Sequence, residues 1–307
     1  MTESEKMLSE RALLATVTIR QWGGRKLDRK VTESATDEHN AARDAGRFNK
    51  LLLPAEAFAK ITKAISAAKA FHYARTLPWH DSGARIISAA GLLDYQNGLR
   101  KIKSEFAAAV AEFLAAYPGY VAAAPARLGD MFDAADFPDV SEIARRFSMD
   151  FYFVTVPDSR DFRVELAAGQ AEAIKADMEH RVRDALAGAM FDAFKRVSET
   201  VGRMAEKLAA YQPGSGTKAD PVKNNFHASL VENVRELAGL LPALNLTGDS
   251  RLNALAADMR KLCEFTAAEL KDSDNARAKI AAEAARVAET ARATVEEIGA
   301  TLADYIA

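Results

Sequence analysis

Arg20, Trp22, Arg25, Lys26, Arg29 and Lys30 place five cations and one aromatic within eleven residues, and the chemistry of that grouping is phosphate binding. Lysines and arginines neutralise phosphate charge and release condensed counterions, while an exposed indole can stack a base for about 1–3 kcal/mol. Arg43, Arg47 and Lys50, then Lys60, Lys63 and Lys69, then Arg100, Lys101 and Lys103 extend the charge along the chain. Residues 20–103 carry 16 Lys/Arg against 8 Asp/Glu, whereas residues 104–307 carry 23 against 32. A net charge of −2 for the 307 residues therefore conceals a basic region able to steer a polyanion. The candidate nucleic-acid-binding residues are Arg20, Trp22, Arg25, Lys26, Arg29, Lys30, Arg47, Lys50, Arg100, Lys101 and Lys103. A plainer reading makes Trp22 a core residue of a strand and Lys60, Lys63 and Lys69 the wet face of an amphipathic helix. No RNP, OB-fold, helix-turn-helix or zinc-finger signature accompanies the cations.

Other constellations carry less. Gly214-Ser-Gly-Thr-Lys218 has the residues of a phosphate-binding loop in the wrong order, after a helix instead of a strand. Asp130, Asp133, Asp136 and Asp139 recur every third residue, but the spacing is not that of an EF-hand loop. They read as a solvated acidic edge or as a self-association surface for the basic half. His39, His72, His80, His180 and His227 form no H-x-x-x-H pair, and Cys263 sits in the apolar stripe Leu252, Leu255, Met259, Leu262. His80-Asp81-Ser82 contains the residue types of a hydrolase triad, but adjacent residues in one loop do not stack nucleophile, base and orienter in line. No enzyme, metal or cofactor is expected.

Elements must position these residues. Thr16–Trp22 alternates with period two and precedes Gly23-Gly24, which predicts a hairpin. Phe48–Leu53 is a second short apolar run, and Pro54 opens a helix through Phe58, Ile61, Ile65 and Ala68. An alanine-rich helix is expected from Leu92 to Tyr117, and a strand at Phe151–Val156 paired with Phe162–Glu165. Leu186, Met190, Phe194, Val197, Val201, Met204 and Leu208 keep a seam on one face of a helix spanning 167–211, about 65 Å long. Gln212–Lys218 has linker composition, and Ser229 with Glu232 spells a capping box for the next helix. The fold class expected is α-dominant α+β, a small N-terminal sheet packed with helices followed by long antiparallel coiled helices. Its boundaries are a basic α+β domain at 1–165 and a helical domain at 166–307 with a linker at 212–222. The first residues lack the order of a signal peptide, and no run approaches the ~20 apolar residues of a membrane span, so a cytosolic protein is expected.

The strand ending Trp22-Gly-Gly-Arg-Lys26, the Leu-Leu-Leu-Pro54 helix entry, and Phe226-His-Ala-Ser-Leu-Val-Glu-Asn-Val-Arg-Glu-Leu followed by Leu244-Asn-Leu-Thr-Gly-Asp249 resemble a family of phage and bacterial proteins of unknown function. Members are often encoded near MoxR- or cobaltochelatase-type AAA+ ATPases and von Willebrand A-domain proteins. The resemblance implies an accessory or adaptor role, with no catalytic residues to carry over. Two expectations follow: a non-enzymatic, oligomerising accessory protein of phage DNA metabolism that binds single-stranded DNA or another polyanion, or an adaptor for an AAA+ ATPase or host factor. In both, self-association is expected through the long helices, and no membrane partner is implied.

Overall fold

An apolar run, residues 12–15, followed by alternation from Thr16 to Arg20 forms the strand β1 (Ala12–Arg20), entered from a single helical turn, α1 (Leu8–Arg11). The computed structural model describes residues 8–79, 83–161, 164, 168–214, 217 and 221–306. His80-Asp81-Ser82, most of the 162–165 segment, and Ser215, Gly216 and Lys218 of the glycine-rich loop lie outside them. Helices dominate, beside a four-stranded and a two-stranded sheet, which is the α-dominant α+β class. The chain forms two compact units, both discontinuous in sequence: Met1–Thr16, Tyr73–Tyr95 and Phe153–Ala307 in the first, Val17–His72 and Gln96–Tyr152 in the second.

In the second unit, β2 (Arg25–Leu27) leads into α2 (Arg29–Glu38), and β3 (Asn49–Leu51) runs through Pro54 and a 3-10 turn, Ala55–Phe58, into α3 (Ala59–Arg75). The hairpin expected across Gly23-Gly24 does not form. β2 pairs with β3 instead, Arg25 opposite Leu51, Lys26 opposite Lys50 and Leu27 opposite Asn49. Gly24 explains the departure: its φ of +58° and an amide hydrogen bond from Leu52 to its carbonyl turn the chain toward β3. A Cβ at Gly24 would also meet the Phe58 ring at 2.8 Å, so only glycine fits this turn.

Beyond β4 (Leu77–Pro78) and β5 (Arg85–Ser88), α4 (Ala89–Leu128) continues past the stop expected at Tyr117, through Pro118 and Pro125. Tyr117, Ala124 and Leu128 hold the buried stripe at helical spacing, and both prolines are exposed, where their missing amide hydrogen bonds fall at the solvent side. Contrary to the hydropathy reading, Ala89–Met131 is long and apolar enough to cross a membrane by length and composition. Its alanines raise the hydropathy, while its bulky Phe106, Phe113 and Tyr117 are buried in the core of the second unit. Three short elements, the 3-10 turns Gly129–Met131 and Ala134–Asp136 and the helix α5 (Val140–Ala144), then lead to β6 (Ser148–Thr155). The larger sheet has the order β4-β5-β1-β6, with Leu14 opposite Ile86 in the antiparallel β1–β5 pair and Leu77 opposite Ile86 in the antiparallel β4–β5 pair.

The first unit is organised by α6 (Ala168–Ala210). Its expected seam is buried along its whole length, with Phe194, Val197, Val201 and Met204 fully inaccessible. The seam packs in one core with α7 (Ser229–Leu244), α8 (Ser250–Leu262) and α10 (Asp274–Ile306), reached through the short α9 (Ala267–Asp272). The capping box lies at Thr266 and Glu269, not at Ser229: α7 begins after Ala228, which offers no capping side chain. Arg196 of α6 donates to the carbonyls of Ala74 and Thr76 while its charge is met by Asp192, so the end of α3 is tied to the long helix within this unit.

Candidate nucleic-acid interface

All eleven candidate residues belong to the second unit, but the fold sorts them into groups with different fates. That unit contains 17 Lys/Arg against 14 Asp/Glu, because the acidic run from Asp130 onward folds into it with the basic segment. A net of +3 replaces the excess seen along residues 20–103.

Trp22 is a core residue. It is 7% exposed and packs against Phe58, Tyr117 and Phe113 with ring centroids 6.1, 5.9 and 6.4 Å away, so no base can reach its face. The alternation that suggested a strand stops at Arg20, and the following turn carries the indole inward.

Lys50 is the second correction. Its side chain is 6% exposed, and its Nζ donates to Asp136 Oδ2 at 2.6 Å and to the Met131 carbonyl at 2.6 Å, with Asp28 Oδ2 at 3.4 Å. Cross-strand pairing puts Lys26 on the same face of the ribbon, and its Nζ lies 3.8 Å from Asp136 Oδ1. Asp136, expected on a solvated edge, is thereby spent on neutralising the ribbon within the same chain. Burial works against the Lys50 ammonium, but the hydrogen bond and charge of Asp136, joined by Asp28, outweigh it and raise its pKa. At Asp28, the Val31 amide that its carboxylate caps, opposed by burial and helped by Lys50, lowers the pKa.

The other cations are distributed as follows. Lys103 on α4 pairs with Asp150 of β6 at 2.7 Å, and Arg100 donates to Asn97; neither these two nor Lys101 lines the cavity described next. Arg20 ends β1, exposed. Arg25, Arg29, Lys30 and Arg47 are exposed and make no ion pair among the described residues. Arg25 lies in β2 opposite Leu51, while Arg29 and Lys30 open α2, where the Asp28 amide donates to the Phe48 carbonyl at 2.9 Å and the Phe48 amide to Thr32 Oγ1 at 3.0 Å. Those two bonds lay Arg47 and Phe48 beside Asp28 and Arg29.

Phe48, the first residue of the expected apolar run, is 39% exposed. A usable signal was present: Phe48 is flanked by Arg47 and Asn49, polar neighbours on both sides. A cavity of about 510 Å³ is lined by Lys26, Arg29, Lys30 and Lys50 together with Asp28, Asp130, Asp133 and Asp136. No group of metal-ligating side chains is assembled among the described residues. Comparison of the chain with protein families, curated proteins and solved structures found no match.

The buried ion cluster has measurable consequences. Lys50→Met leaves Asp136 without its main partner and is expected to cost about 3 kcal/mol or more in urea unfolding, with most of the loss recovered in Lys50→Met/Asp136→Leu. A lowered Asp28 pKa stabilises the fold above its unfolded value near 3.8 and ceases to do so as pH falls through the folded value. A raised Lys50 pKa stabilises below 10.5 and ceases to do so as pH rises through its folded value. The urea midpoint is therefore expected to fall at both ends of the pH range, and Asp28→Asn is expected to flatten the acid limb and, because Asp28 also helps raise the Lys50 pKa, to shift the alkaline limb to lower pH.

Proposed function

We propose that this protein is a non-enzymatic binding protein that holds single-stranded DNA, or a polyanion like it, on the exposed rim at the start of α2. The observation that carries this reading is the set of three exposed cations, Arg29, Lys30 and Arg47, without an ion pair among the described residues, on the segments that backbone hydrogen bonds join at the exposed Phe48. Phosphates would lie on the cations, and Phe48 would take the stacking role first expected of Trp22. Together with the resemblance to the phage and bacterial family, this reading extends to an accessory part in phage-type DNA metabolism in the cytosol of a bacterial host. Self-association through the long helices belongs to the same reading and would use faces outside the α6 seam, which a single chain already buries.

A second reading has its own support. Leu27 and Leu51 are 38% and 47% exposed beside Arg25, and aliphatic side chains suit an acidic protein surface better than a nucleic-acid backbone. That reading is an adaptor docking on an AAA+ ATPase or host factor.

Fluorescence anisotropy of a labelled single-stranded oligonucleotide across a salt series separates the two. Under the first, binding weakens linearly in log–log salt, Arg29→Glu/Arg47→Glu abolishes it, and Phe48→Ala weakens it about tenfold. Under the second, no oligonucleotide binds even at low salt.

A further inference from the structure

The segment that follows α4 is anchored at several points. After Gly129, whose φ is +53°, the Met131 carbonyl accepts from Lys50 Nζ at 2.6 Å, and the Phe132 and Phe137 rings lie 5.7 Å apart against the core of the second unit. The Pro138 carbonyl accepts from the Tyr117 hydroxyl at 3.1 Å. Between these anchors stands Asp136, whose two oxygens face different lysines: Oδ1 lies 3.8 Å from Lys26 Nζ and Oδ2 2.6 Å from Lys50 Nζ. One carboxylate thus takes the place that a phosphate oxyanion could take between the same two ammonium groups.

The two pairs differ in what they do for the fold. Lys50 is buried and requires a counter-charge. The Lys26 side chain is 55% exposed, and a pair in that setting contributes little to stability. Its larger effect falls on ligand binding, because Lys26 lines the same cavity as Arg29 and Lys30 and a lysine already paired attracts phosphate weakly. Asp130 and Asp133 line that cavity too. A space of about 510 Å³ is about 10 Å across, no more than about one Debye length, so their charges also act on a phosphate held there.

We propose that residues 129–137 form an autoinhibitory contact: resting on the polyanion reading above, the segment holds Lys26 through Asp136 in place of phosphate and leaves binding to Arg29, Lys30 and Arg47. The chain carries its own competitor for the ligand, and polyanion affinity is set by that contact as well as by the exposed cations.

Anisotropy of labelled oligo(dT) of about 12 nucleotides, a length within the range one such site spans, is measured across a salt series for the wild type and for variants at Lys26 and Asp136. Three available cations predict a wild-type log–log slope of about −2. Asp136→Asn is expected to steepen it by about 0.7 and to bind about fivefold more tightly at low salt. Lys26→Gln is expected to change wild-type affinity less than twofold, and Asp136→Asn/Lys26→Gln to return to the wild-type slope. A folded Asp136→Asn with wild-type slope and affinity overturns the inference and leaves the polyanion reading standing, as does a gain that persists without Lys26. Should Asp136→Asn fail to fold, Asp130→Asn/Asp133→Asn decides: it leaves Lys50 paired, and is expected to tighten binding about threefold more than Glu56→Gln/Glu105→Gln, which removes the same charge from exposed positions of the second unit outside the cavity. Equal effects of those two double variants overturn the inference. Binding by Asp136→Asn alone supports it, whereas failure of every protein to bind at low salt overturns the polyanion reading and this inference with it.

Discussion

A buried ammonium must be paired, and in the second unit much of the geometry follows from how Lys50 meets that requirement. Its Nζ draws the acidic segment around Asp136 and the Met131 carbonyl onto the ribbon, and Asp28 approaches it while capping α2. That arrangement fixes which face of the two-stranded ribbon is electrostatically finished and which is not. Lys26 and Lys50 share the finished face, because opposed residues in an antiparallel pair project to the same side. Arg25, Leu27 and Leu51 fall on the other. The exposure of Arg25, Leu27 and Leu51 is in this sense a by-product of closing the inner face.

The first unit is held by a different kind of constraint. The α6 seam requires apolar neighbours along most of a 43-residue helix, and α7, α8 and α10 supply them from later in the same chain. Arginines then finish helix ends: Arg196 at the end of α3, and the buried Arg277, which donates to the carbonyls of Leu270 and Lys271 while its guanidinium lies 4.8 Å from the Tyr211 ring. Each converts orphan carbonyls into charge-assisted hydrogen bonds.

Local patterns were legible in the sequence to the extent that they are repetitive. The seam from Leu186 to Leu208 recurs at helical spacing and needs no knowledge of its partner, so α6 was readable, as was the mixture of a small sheet with long helices. Pairing was not legible. Gly23-Gly24 looks like a hairpin turn, but the strand it leads into pairs with β3, whose buried Lys50 is met by Asp136, 86 positions away in sequence. Trp22 is buried and Phe48 exposed for a related reason: exposure of an aromatic is decided by which surface closes over it, here Phe58, Phe113 and Tyr117 over the indole. The expected boundary at 165/166 assumed a single cut, whereas strands and helices from the first half of the chain contribute to both units. Charge counted along the chain overstated the basic character for the same reason, since it could not anticipate that Asp130–Asp150 folds among the same cations.

The central claim is that folding divides the cations of the second unit into neutralised and available sets, and that the available set at the start of α2 meets the ligand. Lysine footprinting by limited acetylation and mass spectrometry, with and without a single-stranded oligonucleotide, tests it most directly. The expected result is that Lys50 is protected in the free protein while Lys30 and Lys101 react, and that the oligonucleotide protects Lys30 without changing Lys101. Reaction of Lys50 at the rate of Lys30 would contradict the sorting, and an unchanged footprint in the presence of the oligonucleotide would contradict the site.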